Sequence, residues 1–376
     1  MEVIEVSVVI PCLNEEKTIS NCVKKAQESF RSSGMNCEVV VVDNGSTDRS
    51  VQIAEGAGAR IVREEQKGYG SALRRGINES LGEFIVMADG DDTYDFMQAG
   101  SFVERLKEGY DLVMGSRFKG KILPGAMTWS HRYIGNPILS GMLRLFFGGF
   151  VSDAHCGLRA FTKTAYHKMG LHTTGMEFAS EMVIHAMKKH LKISEIPITY
   201  FPRLGESKLD SFKDAWRHIR FMLLYSPDYL FLVPGLTIFG ISLAVTLKML
   251  VGTFYFMGRP SGMHVLIFSS LFMILGWEII NIGLLAKVFA RTIELEEDKF
   301  IEIVVRLVTL ERAIVFGGVM MIVGIFLITY IFYIWYLNNF GFLDQLKVGL
   351  FALSLIVMGI QTIFNAFLFS LLQIKH

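Results

Sequence analysis

From Tyr229 onward the chain is mostly apolar, and this constrains its fold more than any other feature. Four stretches, about residues 229–251, 264–286, 313–336 and 348–372, each exceed the roughly 20 residues a helix needs to cross a hydrocarbon core. In lipid every backbone polar group must be satisfied internally, so the stretches are expected as four transmembrane helices of a domain over 228–376. Up to about residue 226 the patterning is that of a soluble protein. The overall hydrophobic content of 51% therefore averages two regimes.

Basic residues orient the spans. Arg217 and Arg220 precede the first, and Lys287, Arg291, Lys299, Arg306 and Arg312 lie between the second and third. The other two loops carry Arg259 and Lys347. The positive-inside rule then places the N-terminal domain, the middle loop and the C-terminus in the cytoplasm. Phe212, Trp216, Ile219 and Leu223 share one helical face, with Lys213, Asp214, Arg217 and Arg220 elsewhere. This predicts an interfacial amphipathic helix over 209–227, the alternative being a helix packed on the soluble core. Phe300, Ile303, Val304, Leu307 and Val308 predict a second such helix in the middle loop. Glu278 is the acid of the second span, and it and Asn281 are expected to bond Gln361 or Asn365 of the fourth.

Other classes are excluded quickly. A net charge of +1 gives no electrostatic case for nucleic acid. Cys12, Cys22, Cys37 and Cys156 form no C-x-x-C pair, so buried reduced thiols are expected rather than a disulfide frame or a metal site. The acidic N-terminus enters a strand directly and does not read as a signal peptide. Neither G-x-G-x-x-G nor a P-loop is present.

In the soluble part, β-branched or apolar runs at Val3–Ile10, Glu38–Val42, Arg60–Val62, Phe84–Met87 and Asp111–Met114 alternate with helical patterns. The alternation predicts an α/β fold with a mostly parallel sheet. Ligands of such sheets bind at the carboxyl ends of strands. Asp89 and Asp91, just beyond the fourth run, project there and could share a hard divalent cation. Taken alone, the cluster reads first as a solvated acidic turn. Asp43 is placed to accept from a base or ribose, or to serve its own turn, with Ser46 or Thr47 capping the next helix. Gly68 and Gly70 would let backbone approach a ligand.

As an ordered set these pieces carry a resemblance. Val8-Val9-Ile10-Pro11 with Asn14-Glu15-Glu16 come first, then Val42-Asp43-Asn44-Gly45-Ser46-Thr47-Asp48, then Gly68-Tyr69-Gly70 with Ala72-Leu73-Arg74. Asp89-Gly90-Asp91 and Gly115-Ser116-Arg117 follow. Over about residues 4–226 this resembles glycosyltransferase family 2 on a GT-A fold, within it the dolichyl-phosphate mannose and glucose synthases and their polyprenyl-phosphate relatives. The resemblance implies a cytoplasmic GT-A domain over 1–208. It implies that Pro11, Asn14, Glu15, Asp43 and Gly68 line the nucleotide, with Asp43 on the base. Asp89 and Asp91 would hold the diphosphate through Mg²⁺ or Mn²⁺, Asp89 sharing its role with the ribose. Thr93 stands where relatives often carry a Gln.

On the acceptor side, Asp153-Ala154-His155-Cys156-Gly157-Leu158-Arg159 resembles the family's D-x-x-x-G-hydrophobic-R segment. Arg203-Leu204-Gly205-Glu206-Ser207-Lys208 resembles its basic phosphate-binding loop. The resemblance implies that Arg117, Arg132, Arg203 and Lys208 bind the acceptor phosphate or the diphosphate. Glu177 and Asp153 would orient the sugar, and Asp91, Asp153 and Arg117 would be catalytic, Asp153 as base. Glu181 reads as helix capping and surface charge. The activity implied is metal-dependent, inverting transfer of a hexose from a donor of UDP-glucose or GDP-mannose type to a polyprenyl or dolichyl phosphate. Partners would be the nucleotide sugar, the lipid phosphate and the bilayer, with a homo-oligomer left open. The alternatives are a processive polysaccharide synthase, although its usual Q-x-x-R-W is absent, a non-enzymatic membrane protein that binds nucleotide sugar or translocates lipid-linked sugar, and a nucleotidyltransferase of soluble type.

Overall fold

Val6–Cys12 (β1) and Cys37–Asp43 (β2) are valine-rich runs without polar alternation, and the fold buries most of both. They pair in parallel from Val6↔Cys37 to Cys12↔Asp43, as strands covered on two faces do. Between them α1 (Ile19–Ser32) turns Ile19, Cys22, Val23, Ala26 and Phe30 into the core at helical spacing. A computed structural model describes residues 3–204, 211–256, 258–292, 303, 306 and 308–373. The chain divides into two compact units, Met1–Met222 and Leu223–His376.

In the first unit α2 (Ser50–Gly56), β3 (Arg60–Arg63), α3 (Tyr69–Glu79), β4 (Phe84–Met87), α4 (Ala99–Lys107) and β5 (Leu112–Ile122) follow in order. Then come α5 (Asn136–Phe147), β6 (Arg159–Thr162), α6 (Lys163–Met169), α7 (Phe178–Lys188), β7 (Ile193–Tyr200) and α8 (Ser211–Leu224). The seven strands form one sheet in the order β3-β2-β1-β4-β6-β5-β7. Only β6 runs antiparallel to its neighbours β4 and β5. The sheet is thus the mostly parallel, helix-flanked one expected.

Three local expectations are corrected. β1 does not stop at Pro11. Asn44 N–H donates to Cys12 O, so Cys12 faces β2 and Pro11 faces the other flank, where β4 has ended after Val9↔Met87. A missing N–H there breaks no ladder bond. β5 runs well past Arg117 because its second half pairs with β7, across a register shift between Ser116 and Lys121. The first turn of α2 is held by Asp48, whose Oδ1 accepts the Ser50 N–H at 2.9 Å, and not by Ser46 or Thr47.

Among the described residues the second unit holds four helices long and apolar enough to cross a membrane: α9 (Val233–Val251), α10 (Met263–Thr292), α11 (Leu310–Leu337) and α12 (Leu346–Leu371). Small residues bring them together, as is usual where lipid supplies no hydrophobic drive. A Cβ on Gly276 would lie 2.6 Å from Phe239 N, and one on Gly317 2.7 Å from Gly359 O. The expected bonds from Glu278 and Asn281 to the fourth span are not formed. Asn281 Nδ2 donates to Trp277 O in its own helix, and the cross-helix bond runs instead from Trp277 Nε1 to Thr362 Oγ1 at 3.0 Å. Most of the second amphipathic pattern, Phe300, Val304 and Leu307 included, lies outside the described residues.

Lys287 is also reassigned. It belongs to α10, where it is 1% exposed and meets both oxygens of Asp228 at 2.8 Å. The Asp228 carboxylate is 39% exposed while the Lys287 ammonium is enclosed, so losing the carboxylate leaves a buried charge with less to offset its desolvation. Asp228→Ala is therefore expected to lower the melting temperature in detergent, and Asp228→Ala with Lys287→Met to regain most of it. Equal melting of the single variant and the parent would show the pair to be dispensable.

Candidate active site

The carboxyl ends of β1, β2 and β4 form one edge, and the turns beyond them are tied to one another. Asn14 takes a left-handed φ of 54°, which asparagine tolerates better than most residues. Its Oδ1 accepts the Thr47 N–H at 2.7 Å, and its N–H donates to Ser46 Oγ at 3.0 Å. Asp43 Oδ1 accepts the Ser46 N–H at 2.9 Å, so Asp43 shapes its own turn with at least one oxygen. Glu15 N–H donates to Ser50 Oγ at 2.7 Å. The loop after β3 is fixed by Asn44, to which the sequence reading assigned no role. Its Nδ2 donates to Glu64 O and Gln66 O, and its Oδ1 accepts the Gly68 N–H at 2.8 Å.

The two glycines at the start of α3 serve a close approach of a different kind from the one expected. A Cβ on Gly68, whose φ is +143°, would lie 2.2 Å from Thr174 O, and one on Gly70 2.5 Å from Thr173 O. They admit the 173–175 backbone. That backbone is pinned in turn by Glu181, which is fully buried and accepts from His172 N–H, Thr173 N–H and Thr173 Oγ1 at 2.6–3.0 Å. Glu181 is therefore a buried staple and no surface charge.

Beyond β4 the acids are set in two environments. Asp89 Oδ1 accepts from Tyr69 OH at 2.9 Å. Burial, and then the neighbouring Asp91 charge, push the Asp89 carboxyl up to about 7, while Tyr69, Arg203 and Arg117 pull it down. Asp91 is 8% exposed, and its Oδ1 is filled by Thr93 N–H at 3.1 Å and Thr93 Oγ1 at 2.6 Å. Its Oδ2 faces Arg203 Nη1 at 3.4 Å, and Arg203 Nη2 reaches Glu15 Oε1 at 2.8 Å. Arg203 thus bridges the β1 and β4 edges, with its buried Nε lacking an acceptor among the described residues. Asp92, at φ 59°, is held away by Lys25 and Asn21, and Asp95 caps the following turn through Met97 N–H.

Arg117 and Asp153 are joined outright. Nε and Nη2 meet the two carboxylate oxygens at 2.7 Å each, and the Arg117 N–H adds a third bond at 3.0 Å. Asp153 is fully buried. Burial is the largest influence and opposes the charge on Arg117, but Asp153, Tyr94 and Cys156 together outweigh it and hold the guanidinium protonated well above the ordinary value. Both Asp153 oxygens are thus engaged by Arg117, which the pair positions beside the Tyr200 ring, 5.2 Å from the centroid. Arg159 is fully buried too, and donates to the carbonyls of Ala154, Cys156 and Ala179 at 2.7–2.8 Å.

Two further predicted residues have neighbours of their own, and a third lies outside the described residues. Arg132 lies over the Tyr133 ring at 5.4 Å, in a π-helical turn before α5. Glu177 precedes α7, with one buried oxygen lacking a hydrogen bond and Arg217 Nε 4.0 Å away. Lys208 lies outside the described residues. Besides Asn44, sequence reasoning missed Tyr69 and Tyr94, the latter accepting Gly157 N–H at 2.8 Å. Only contact across the fold reveals such roles.

Comparison with known proteins agrees with the geometry. Residues 7–170 match the Glycosyl transferase family 2 model, and residues 284–373 match the Glycosyltransferase family 2 C-terminal transmembrane region. The chain is 37% identical over 370 residues to the low-salt glycan biosynthesis hexosyltransferase Agl6 of Haloferax volcanii, covering 96% of this chain and 87% of that protein. It is 32% identical to the dolichyl-phosphate hexose transferase of the same organism, over 55% of this chain and 88% of that one. The dolichol-phosphate mannosyltransferase of Pyrococcus furiosus is 29% identical, over 57% of this chain and 62% of its own. Among solved structures, glucosyl-3-phosphoglycerate synthase of Mycobacterium tuberculosis covers 58% of this chain and 78% of its own at 23% identity and a TM-score of 0.48, a likeness that bears on neither donor nor metal. With a family 2 catalytic unit followed by the family's C-terminal transmembrane region, the chain belongs to glycosyltransferase family 2 and is an integral membrane hexosyltransferase.

Proposed function

We propose that the chain transfers a hexose, with inversion, from a nucleoside diphosphate sugar of UDP-glucose or GDP-mannose type to the phosphate of a polyprenyl or dolichyl lipid, at the cytoplasmic face. One observation carries this. Arg203 meets Asp91 at 3.4 Å, and Asp89 feels the charges of Asp91, Arg203 and Arg117, so the acids suited to a donor and the guanidiniums suited to phosphates lie close together.

Asp89 and Asp91 suit Mg²⁺ or Mn²⁺ in kind. They are hard oxygen donors, and Asp91 Oδ2 already faces a cation, the Arg203 guanidinium. Among the described residues no group of three or more His, Cys, Asp or Glu could hold a metal, so the remaining ligands would come from the diphosphate and water. Such an ion would stabilise charge developing on the leaving diphosphate. Arg203 would exchange Glu15 and Asp91 for phosphate oxygens as the donor enters, satisfying its unpartnered Nε in the process. Asn14, Glu15 and Asp43, with Pro11 and Gly68 behind them, would frame the nucleotide.

A phosphate monoester has a second pKa of about 6, so an acceptor lipid phosphate is already largely dianionic near neutral pH. It needs charge shielding and orientation more than a base. Arg117 supplies a permanent charge, and with Nε and Nη2 committed to Asp153 it offers Nη1 to the phosphate. The names of the dolichyl-phosphate and dolichol-phosphate relatives support the lipid acceptor.

The direct test is purified protein in lipid, with Mg²⁺ or Mn²⁺, a panel of UDP- and GDP-sugars, and short and long polyprenyl phosphates, scored for lipid-linked product. One donor class is expected to yield product, and Asp91→Ala to lose at least about 100-fold of it, on the scale of a lost transition-state electrostatic contact, while still inserting and folding. Nucleotide-sugar binding without turnover on any acceptor would favour the translocation reading. A second expectation concerns pH. The folded Asp89 carboxyl titrates near 7, above its unfolded value. Its protonated form stabilises the fold at low pH, and that contribution is lost as pH rises from about 4 through 7. Without divalent ions, Asp89→Asn is expected to melt above the parent at pH 8, with the gap closing as pH falls towards 4. A gap independent of pH would contradict the assignment.

A further inference from the structure

Glu195 lies on β7, level with Met114 of β5, and its side chain is only 5% exposed. A carboxylate enclosed to this degree needs partners for both oxygens. Oε1 accepts the Ser152 N–H at 2.7 Å and, at a longer 3.4 Å, the Asp153 N–H. Oε2 meets Lys119 Nζ at 2.7 Å. Ser152 Oγ lies 3.1 Å from Oε1 and 2.9 Å from Oε2. Lys119 is itself 50% exposed, and a pair of that kind contributes little. What the acid adds here is its hold on Ser152 and Asp153.

The bonds around it have a direction. Paired with an ammonium, the carboxylate only accepts, so the single hydroxyl hydrogen of Ser152 points to Glu195. The 2.7 Å contact between Ser152 Oγ and Ser116 Oγ then runs from Ser116, whose oxygen accepts the Lys119 N–H at 3.1 Å. The relay reads Lys119 N–H to Ser116, Ser116 to Ser152, Ser152 to Glu195, and bonds aligned in this way strengthen one another. It joins the two segments that meet at the Arg117–Asp153 pair. Ser116 and Lys119 flank Arg117, where β5 shifts register against β7, and such irregularities re-aim a side chain. Ser152 immediately precedes Asp153. One carboxylate therefore holds the main chain on both sides of the pair, while Tyr200, at the far end of the same strand, supplies the ring beside Arg117.

We propose that Glu195 is a positioning residue for the transfer reaction: through Ser152 and Ser116 it sets where the Arg117 guanidinium stands relative to the acceptor phosphate. This rests on reading Arg117 as the cation that meets that phosphate. Glu195 acts only through the Arg117–Asp153 pair, so its loss is felt on the acceptor side. The nucleotide, framed by the turns after β1 and β2, is left as it was.

The test uses the full chain in detergent with Mg²⁺ or Mn²⁺. Farnesyl phosphate is the acceptor probe, with whichever UDP- or GDP-sugar gives product, and UDP or GDP probes the donor side. Glu195→Gln keeps the shape and one accepting oxygen, but sets an amide N–H against Ser152 Oγ and Lys119 and so reverses the relay. Its KM for farnesyl phosphate is expected to rise about tenfold, the scale of one net hydrogen bond, with the Kd of the nucleoside diphosphate unchanged. Ser116→Ala cuts the same relay, so it should raise KM by a similar factor, and the double variant by no more than either alone. Lys119→Met removes the ion pair and leaves the relay, and should keep the parent's KM. Parallel shifts in acceptor KM and nucleotide Kd would mean a general loosening of the fold and would overturn the proposal. Multiplied effects in the double variant, or Lys119→Met matching Glu195→Gln, would overturn it too. A second readout needs no substrate. Hydrogen–deuterium exchange at the Ser152 amide should quicken at least about tenfold in Glu195→Ala while exchange in α1 stays at the parent's rate. Unchanged exchange at Ser152 would contradict the assignment. Quickened exchange in a protein whose parent form shows no turnover on farnesyl phosphate would leave Glu195 holding Asp153 but remove the acceptor reading, and the proposal with it.

Discussion

The Arg117–Asp153 pair is the contact on which the catalytic edge depends. It is buried, bidentate and reinforced by a main-chain bond, and it ties β5 to the segment leading into β6. Burying two charges is costly unless their geometry is nearly complete, and here both carboxylate oxygens are used. The segment it holds is fixed from other sides as well. Arg159 gathers three carbonyls and Tyr94 receives Gly157 N–H. That leaves Gly157 so close to Asp89 that a Cβ would lie 2.7 Å from Oδ2. The positions of Asp89 and Arg117 are therefore consequences of one packed arrangement.

Against that rigid part, Arg203 is the adjustable element. It makes one short contact with Glu15 and one longer contact with Asp91. A guanidinium in this place offsets part of the upward push on Asp89, which comes first from burial and then from the Asp91 charge. It can also move onto a phosphate without leaving a charge unpaired, since a metal would take its place on the acids. Donor, metal and basic loop would then bind as an interdependent set.

Much of this was legible in the sequence, and the parts that were not share a cause. The parallel sheet followed from β-branched runs alternating with amphipathic helices, and the membrane region from length and apolarity alone. Asp89 and Asp91 were legible because they follow a buried strand directly. The pairing of Asp153 with Arg117 was not legible, because residue type does not reveal whether an acid's oxygens are free. Glu181 was read as a surface charge, although its partners His172 and Thr173 lie on a loop brought back to it by the fold. Tyr69 and Tyr94 each act through one side-chain bond, and Asn44 through three, to segments distant in sequence, which leave no periodic trace. In the membrane region Lys287 passed for a loop charge because its partner Asp228 is 59 residues away.

The account stands most directly on where a divalent ion sits and what Arg203 then does. A structure of the full chain in lipid with Mn²⁺ and a nucleoside diphosphate would measure both at once. The account predicts manganese held by Asp91, with Asp89 beside it, and Arg203 moved from Asp91 onto the diphosphate while Arg117 stays locked to Asp153. Manganese bound elsewhere, with Arg203 still bridging Glu15 and Asp91, would contradict it.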